Sequence, residues 1–184
     1  MIKILSRTAA WKMLNACRVD KKGSEILGGV HLTKDYLEST DGTMIFRSGR
    51  ANFGVPSGAP DGVYEVISAK PGAASFTEIA LELVPGAQYP DTDRVMPKLD
   101  IMQNTDKITL APEKESTLSL SAAVLRLHKY TGNAYSVVLL DRLTPINESW
   151  SLCVTGPDKP AALVLNNLDA PVVAVIMPFK LDLK

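Results

Sequence analysis

The chain predicts an α+β fold built as two units of similar plan. Three observations carry this: helix, strands, connector, helix and strands follow in that order; strands outnumber helices; and the connections are short enough for antiparallel pairing. With 184 residues, 46% of them apolar and 22% charged, the chain has the material for a buried core. The boundaries expected are 1–97 for the first unit with its connector and 98–184 for the second, packed as one compact domain.

The first helix is expected over 6–18, with Ser6 or Thr8 as N-cap. At about 100° per residue Ala10, Met13, Leu14 and Cys17 share one face, while Arg7, Lys12, Asn15 and Arg18 share the other, with Trp11 among them. Strands follow in GGVHLTKDYLES and TMIFRS, which flank the turn residues Asp41 and Gly42 as a hairpin does. A loop rich in Gly, Pro and Ser over 48–62 leads to strands at 63–68 and 77–84. Three prolines make 85–98 an extended connector.

Beyond it KITLA reads as a strand, and a second helix is expected over 115–132. Its apolar face holds Leu120, Val124 and Leu127, and its polar face Ser119, Arg126 and Lys129. Strands are expected at 135–140, 150–156, 161–166 and 172–179.

Equal numbers of acidic and basic residues, 20 each, exclude a global attraction to nucleic acid or membrane. Local segregation is a different matter. Arg7, Lys12, Arg18, Lys21 and Lys22 surround a single acid, Asp20, and Arg126 and Lys129 stand in a stretch with no acid. Solvated helices usually carry mixed-sign pairs. Both helices therefore read as cationic faces suited to non-specific contact with a phosphate backbone.

The longest apolar runs fall short of a membrane span, and MIKILSR lacks a secretory apolar stretch, so no membrane association and a cytoplasmic location are expected. Cys17 and Cys153 sit among apolar neighbours and read as reduced thiols. His31 and His128 stand beside no nucleophile pattern, and no phosphate loop or Cys/His metal spacing occurs. No enzyme, no cofactor and no metal are expected; a metal enzyme using Asp91 and Asp93 is the remote third reading.

Three stretches together resemble the bacterial sliding clamp, the β subunit of DNA polymerase III. ILGGVHLTKDYLESTDGTMIF is similar to the clamp segment ending in a T-D-G-H-R-L pattern, YPDTDRVMPK to the connector F-P-D-Y-x-R-V-L-P, and VVAVIMPFKL to the carboxyl terminus V-V-M-P-M-R-L. Thr43 and Met44 stand where that pattern has His-Arg, and Thr92 where it has Tyr.

The resemblance implies a DNA-clamp-like α+β fold, two helices packed on a curved antiparallel sheet in two βαβββ-like units. It also implies a DNA polymerase processivity factor that tethers replication proteins to double-stranded DNA. The implied peptide-binding pocket comprises Thr40, Ile45, Pro90, Arg94, Val95, Val175, Met177 and Pro178, and the implied DNA-facing residues are the seven basic ones named above. Its expected partners are duplex DNA, contacted through the backbone, and DNA polymerase or other clamp-binding peptides. A homo-oligomeric ring follows if clamp function is retained: six copies at one domain per chain. The alternative is a peptide-binding module of phage or plasmid type that does not encircle DNA and adapts or competes for host clamp partners.

Overall fold

A computed structural model describes residues 1–19, 26–96, 103–109, 117–145, 149–154, 159–165 and 170–178. The chain forms two compact units, Met1–Asp91 with Asn166–Val172, and Thr92–Leu165 with Val173–Lys184.

In the first unit β1 (Ile2–Arg7) leads directly into α1 (Thr8–Ala16), followed by β2 (Val30–Leu32), β3 (Tyr36–Thr40), β4 (Met44–Gly49), β5 (Gly62–Pro71) and β6 (Phe76–Leu83). The strands lie in the order β1-β6-β5-β2-β3-β4. Pairings β1–β6, β2–β3, β2–β5, β3–β4 and β5–β6 are antiparallel. α1 packs on β1, β3, β4 and β6, burying Ala10, Met13, Leu14 and Cys17.

Two expectations for α1 need correction. Trp11 is only 6% exposed, so it belongs to the core and widens the apolar face beyond the expected stripe. The N-cap is Arg7, with no side-chain cap bond. Ser6 lies buried in β1 with its hydroxyl donating to Arg7 O, and Thr8 N donates to Ser75 O at 2.7 Å. The turn between β5 and β6 thus satisfies a first-turn amide that a cap would otherwise take.

The stretch read as one strand before Asp41 is two. Thr33 Oγ1 accepts from the amides of Asp35 and Tyr36 at 3.3 and 3.2 Å, and this side-chain turn separates β2 from β3. The hairpin after β3 forms at Asp41 and Gly42 as expected, Gly42 taking the left-handed φ of +86° that favours glycine. In the following loop, Asn52 Nδ2 donates to Ser48 Oγ and to Ala170 O, both at 2.8 Å, and fastens 48–62 to the unit.

The second unit comprises β7 (Gln103–Thr109), α2 (Thr117–Thr131), α3 (Val137–Asp141), β8 (Ser149–Val154), β9 (Ala161–Leu165) and β10 (Val172–Ile176), whose first residue is counted with the first unit. Strand order is β10-β9-β8-β7, with β7–β8 and β8–β9 antiparallel. α2 packs on β7, β8 and α3 and buries Leu120, Ala123 and Leu127. It stops at Gly132, whose φ of +72° and amide bond to His128 O at 2.7 Å make a left-handed helix end.

The strand expected at 135–140 is instead the short helix α3. Leu139, Leu140 and Leu143 are buried while Val138 is 67% exposed, a helical spacing that packing enforces over the β-branched preference of the two valines. Both units follow the β-α-β-β-β plan, extended by the β5–β6 hairpin in the first and by α3 in the second. This is the α+β antiparallel class expected from the sequence.

Candidate functional site

The polar hairpin tip is built from its own side chains. Asp41 Oδ1 accepts from the amides of Thr43 and Met44 at 2.8 and 2.9 Å and from the Thr43 hydroxyl at 2.7 Å. Thr40 Oγ1 donates to Met44 O at 2.8 Å and accepts from Gly42 N at 3.0 Å. Thr40 pairs with Ile45 across β3 and β4, and both are buried.

The connector crosses from one unit to the other. Pro90 is exposed at the end of the first, and Thr92–Arg94 form a short 3₁₀ turn at the start of the second, with Val95 N and Met96 N both donating to Thr92 O. Thr92 is buried, whereas Arg94 and Val95 are exposed. At the other end of the second unit Val175 is fully buried in β10, and Met177 and Pro178 just beyond it are half-buried. The eight expected pocket residues thus divide, with Thr40, Ile45 and Pro90 in the first unit and Arg94, Val95, Val175, Met177 and Pro178 in the second. Pro90, Arg94, Val95, Met177 and Pro178 have surface to offer a partner.

Of the basic residues, Lys12 on α1 and Arg126 and Lys129 on α2 are exposed, and neither helix has an acid in its first turn. Arg7 is half-buried at the α1 N-cap. Arg18 is tied down: Nε donates to Gly28 O and a guanidinium NH₂ group to Asn15 Oδ1, each at 2.7 Å. Burial lowers its pKa, partly offset by Tyr89 and Glu65. Lys21 and Lys22 lie outside the described residues.

The first unit also holds a charged cluster that sequence reading missed. Glu38, fully buried, receives Arg47 through Nε at 2.9 Å and a guanidinium NH₂ group at 2.8 Å, and lies 2.8 Å from His31 Nδ1. Arg47 covers the Tyr36 ring at 3.8 Å, and Tyr89 stacks on His31 at 4.8 Å. Burial, followed by the Glu38 charge, raises the Tyr89 hydroxyl well above its ordinary value of 10.0. The only sequence signal was alternation: residues 31, 38 and 47 stand opposite one another across β2, β3 and β4.

His128 Nδ1 lies 3.1 Å from Asn133 O, so each histidine has a structural contact. Cys17 and Cys153 are buried and not joined in a disulfide. Among the described residues no group of three or more His, Cys, Asp or Glu could hold a metal ion, and no helix is long and apolar enough to cross a membrane.

No family model and no curated protein matches the chain by sequence. Solved structures do match. The DNA polymerase sliding clamp of Bacillus subtilis superposes over 98% of this chain with a TM-score of 0.58 at 14% identity. The fold is that of the bacterial sliding clamps.

The Helicobacter pylori β clamp, solved with 3,4-difluorobenzamide, gives a TM-score of 0.58 over 97% of the chain at 11% identity. The DNA polymerase III β chain of Streptococcus pneumoniae gives 0.54 over 98% at 17% identity. This chain covers only 64% of the Bacillus subtilis clamp, 66% of the Helicobacter pylori clamp and 65% of the Streptococcus pneumoniae chain. The chain thus keeps the clamp fold at very low identity while spanning about two thirds of the length of the structures it matches.

Proposed function

We propose that this chain is a clamp-like DNA polymerase processivity factor. Several copies close around duplex DNA, and a hydrophobic peptide-binding pocket tethers replication proteins to it. The supporting observation is the sliding-clamp fold over 98% of the chain. The exposed Lys12, Arg126 and Lys129 support phosphate contact, because cationic side chains at the surface of two helices attract a phosphate backbone. Val95, Met177 and Pro178 support peptide binding, since a thioether and small apolar groups adapt to a Leu or Phe anchor. Nothing in this function calls for catalysis.

A second reading rests on the exposed Val95 and half-buried Met177 and Pro178 alone: a peptide-binding module that keeps the pocket without encircling DNA. Light scattering with and without circular duplex DNA separates the two. The ring reading expects a closed oligomer, and a monomer at high concentration that DNA does not assemble overturns it. Lys12→Glu with Arg126→Glu should lower DNA retention and flatten its dependence on salt, by about 0.9 in log–log slope for each phosphate no longer neutralised. Met177→Ala or Val95→Asp should weaken binding of a Leu/Phe clamp peptide, and unchanged affinity removes the pocket assignment.

A further inference from the structure

The connector leaves the first unit over a ring stack. Val84 N donates to Val63 O at 2.9 Å and Ala87 N to Val84 O at 3.3 Å. Beyond them, among the described residues, Gln88 and Tyr89 make no backbone-to-backbone hydrogen bond. Tyr89 is held by its side chain instead. Its ring lies on that of His31 with centroids 4.8 Å apart and planes 22° from parallel, within the stacked geometry that aromatic pairs favour.

His31 is itself held in place. Its Nδ1 lies 2.8 Å from Glu38 Oε1, while the other oxygen, Oε2, accepts from Arg47 Nε at 2.9 Å. Glu38 is fully buried, and 31, 38 and 47 are register partners on one face of the sheet. Thr40 and Ile45, the next cross-strand pair on that face, lie two residues from Glu38 and Arg47. The Tyr89 hydroxyl, whose pKa burial and then the Glu38 charge raise, also senses the Thr40 backbone. One ring thus joins the connector, at the residue before Pro90, to the face that carries Thr40 and Ile45.

We propose that His31 is a positioning residue for peptide binding: its ring seats Tyr89, and the seated Tyr89 fixes where the chain presents Pro90. This role rests on the peptide pocket proposed above, of which Thr40, Ile45 and Pro90 are the first unit's share. Thr40 and Ile45 are buried and paired, whereas Pro90 is exposed, so the part of that share free to shift is the connector. A binding position populated only in part lowers apparent affinity by that fraction. The stack limits the alternatives, because the His31 ring cannot turn without breaking its contact with a buried carboxylate.

The test uses the full chain and a fluorescein-labelled Gln-Leu-Asp-Leu-Phe peptide, read by fluorescence anisotropy, together with hydrogen–deuterium exchange over 86–91. His31→Ala and Tyr89→Ala should each weaken peptide binding about fivefold, the worth of one aromatic pair, and the two together no further. Tyr89→Phe, which keeps the ring, should hold the parent affinity, a rescue that a merely structural role would not give. In both alanine variants the amides of 86–91 should exchange faster while those of β6 match the parent. In a parent that binds, the proposal is overturned if the alanine changes leave affinity unchanged, if their effects add, or if exchange over 86–91 is unaltered. A parent that binds no peptide removes the pocket reading by itself, and exchange over 86–91 still decides whether His31 seats Tyr89.

Discussion

The two units share a plan and stabilise it differently. In the first, the central strands alternate: Leu37 and Ser39 lie on the α1 side, where Ser39 Oγ donates to Leu14 O at 2.6 Å, and Glu38 turns to the other face to bind Arg47 and His31. In the second, every residue of β9 and of β10 is buried, and all of them are apolar. A strand with polar partners on one face is fixed in register, because a slip of one residue would strand a charge in the interior. Strands that are apolar on both faces take their stability from packing density, which any volume-conserving neighbour can partly replace. The same architecture therefore tolerates change in different ways in its two halves.

That contrast can be broken first at Glu38. Glu38→Ala should cost about 4 kcal/mol in urea unfolding, since it leaves the largely buried Arg47 without its carboxylate. The double change Glu38→Leu with Arg47→Met should recover most of this loss; failure to recover would mean that packing, not charge, governs the first unit. Leu163→Ala, at a fully buried β9 position, should cost about 3 kcal/mol by transfer and cavity terms, with no paired substitution able to restore it by charge.

The smallest effect is alkaline. With Tyr89 raised in the folded state, its neutral form favours the native protein; that contribution is complete below the unfolded value near 10.0 and is lost as pH rises above it. Relative to Tyr89→Phe, the parent should lose about 1.4 kcal/mol per pH unit above that point. Parallel alkaline unfolding curves would show that Tyr89 ionises freely.

The legible parts of the sequence were those in which local chemistry and tertiary packing agree. The Asp41–Gly42 hairpin, the apolar stripe of Ala10, Met13, Leu14 and Cys17, and the strands at 63–68, 77–84 and 161–166 follow from turn residues and periodicity. Among the residues proposed for function, exposure of Lys12, Arg126 and Lys129 follows from helical spacing. The burial of Trp11 and the anchoring of Arg18 to Gly28 O depend on contacts outside their own segment.

Taken alone, the amino-acid order determined the α+β class, the succession of most elements and the acid-free second helix, because periodicity, turn residues and charge segregation act over a few residues. Only the tertiary structure decided that 137–141 coils into a helix, that 31, 38 and 47 meet in one charged cluster, and that Glu65 stands opposite Glu82 in the β5–β6 pair. Each of those depends on groups distant in the chain lowering one another's free energy once solvent is excluded, and no local window of sequence contains both partners.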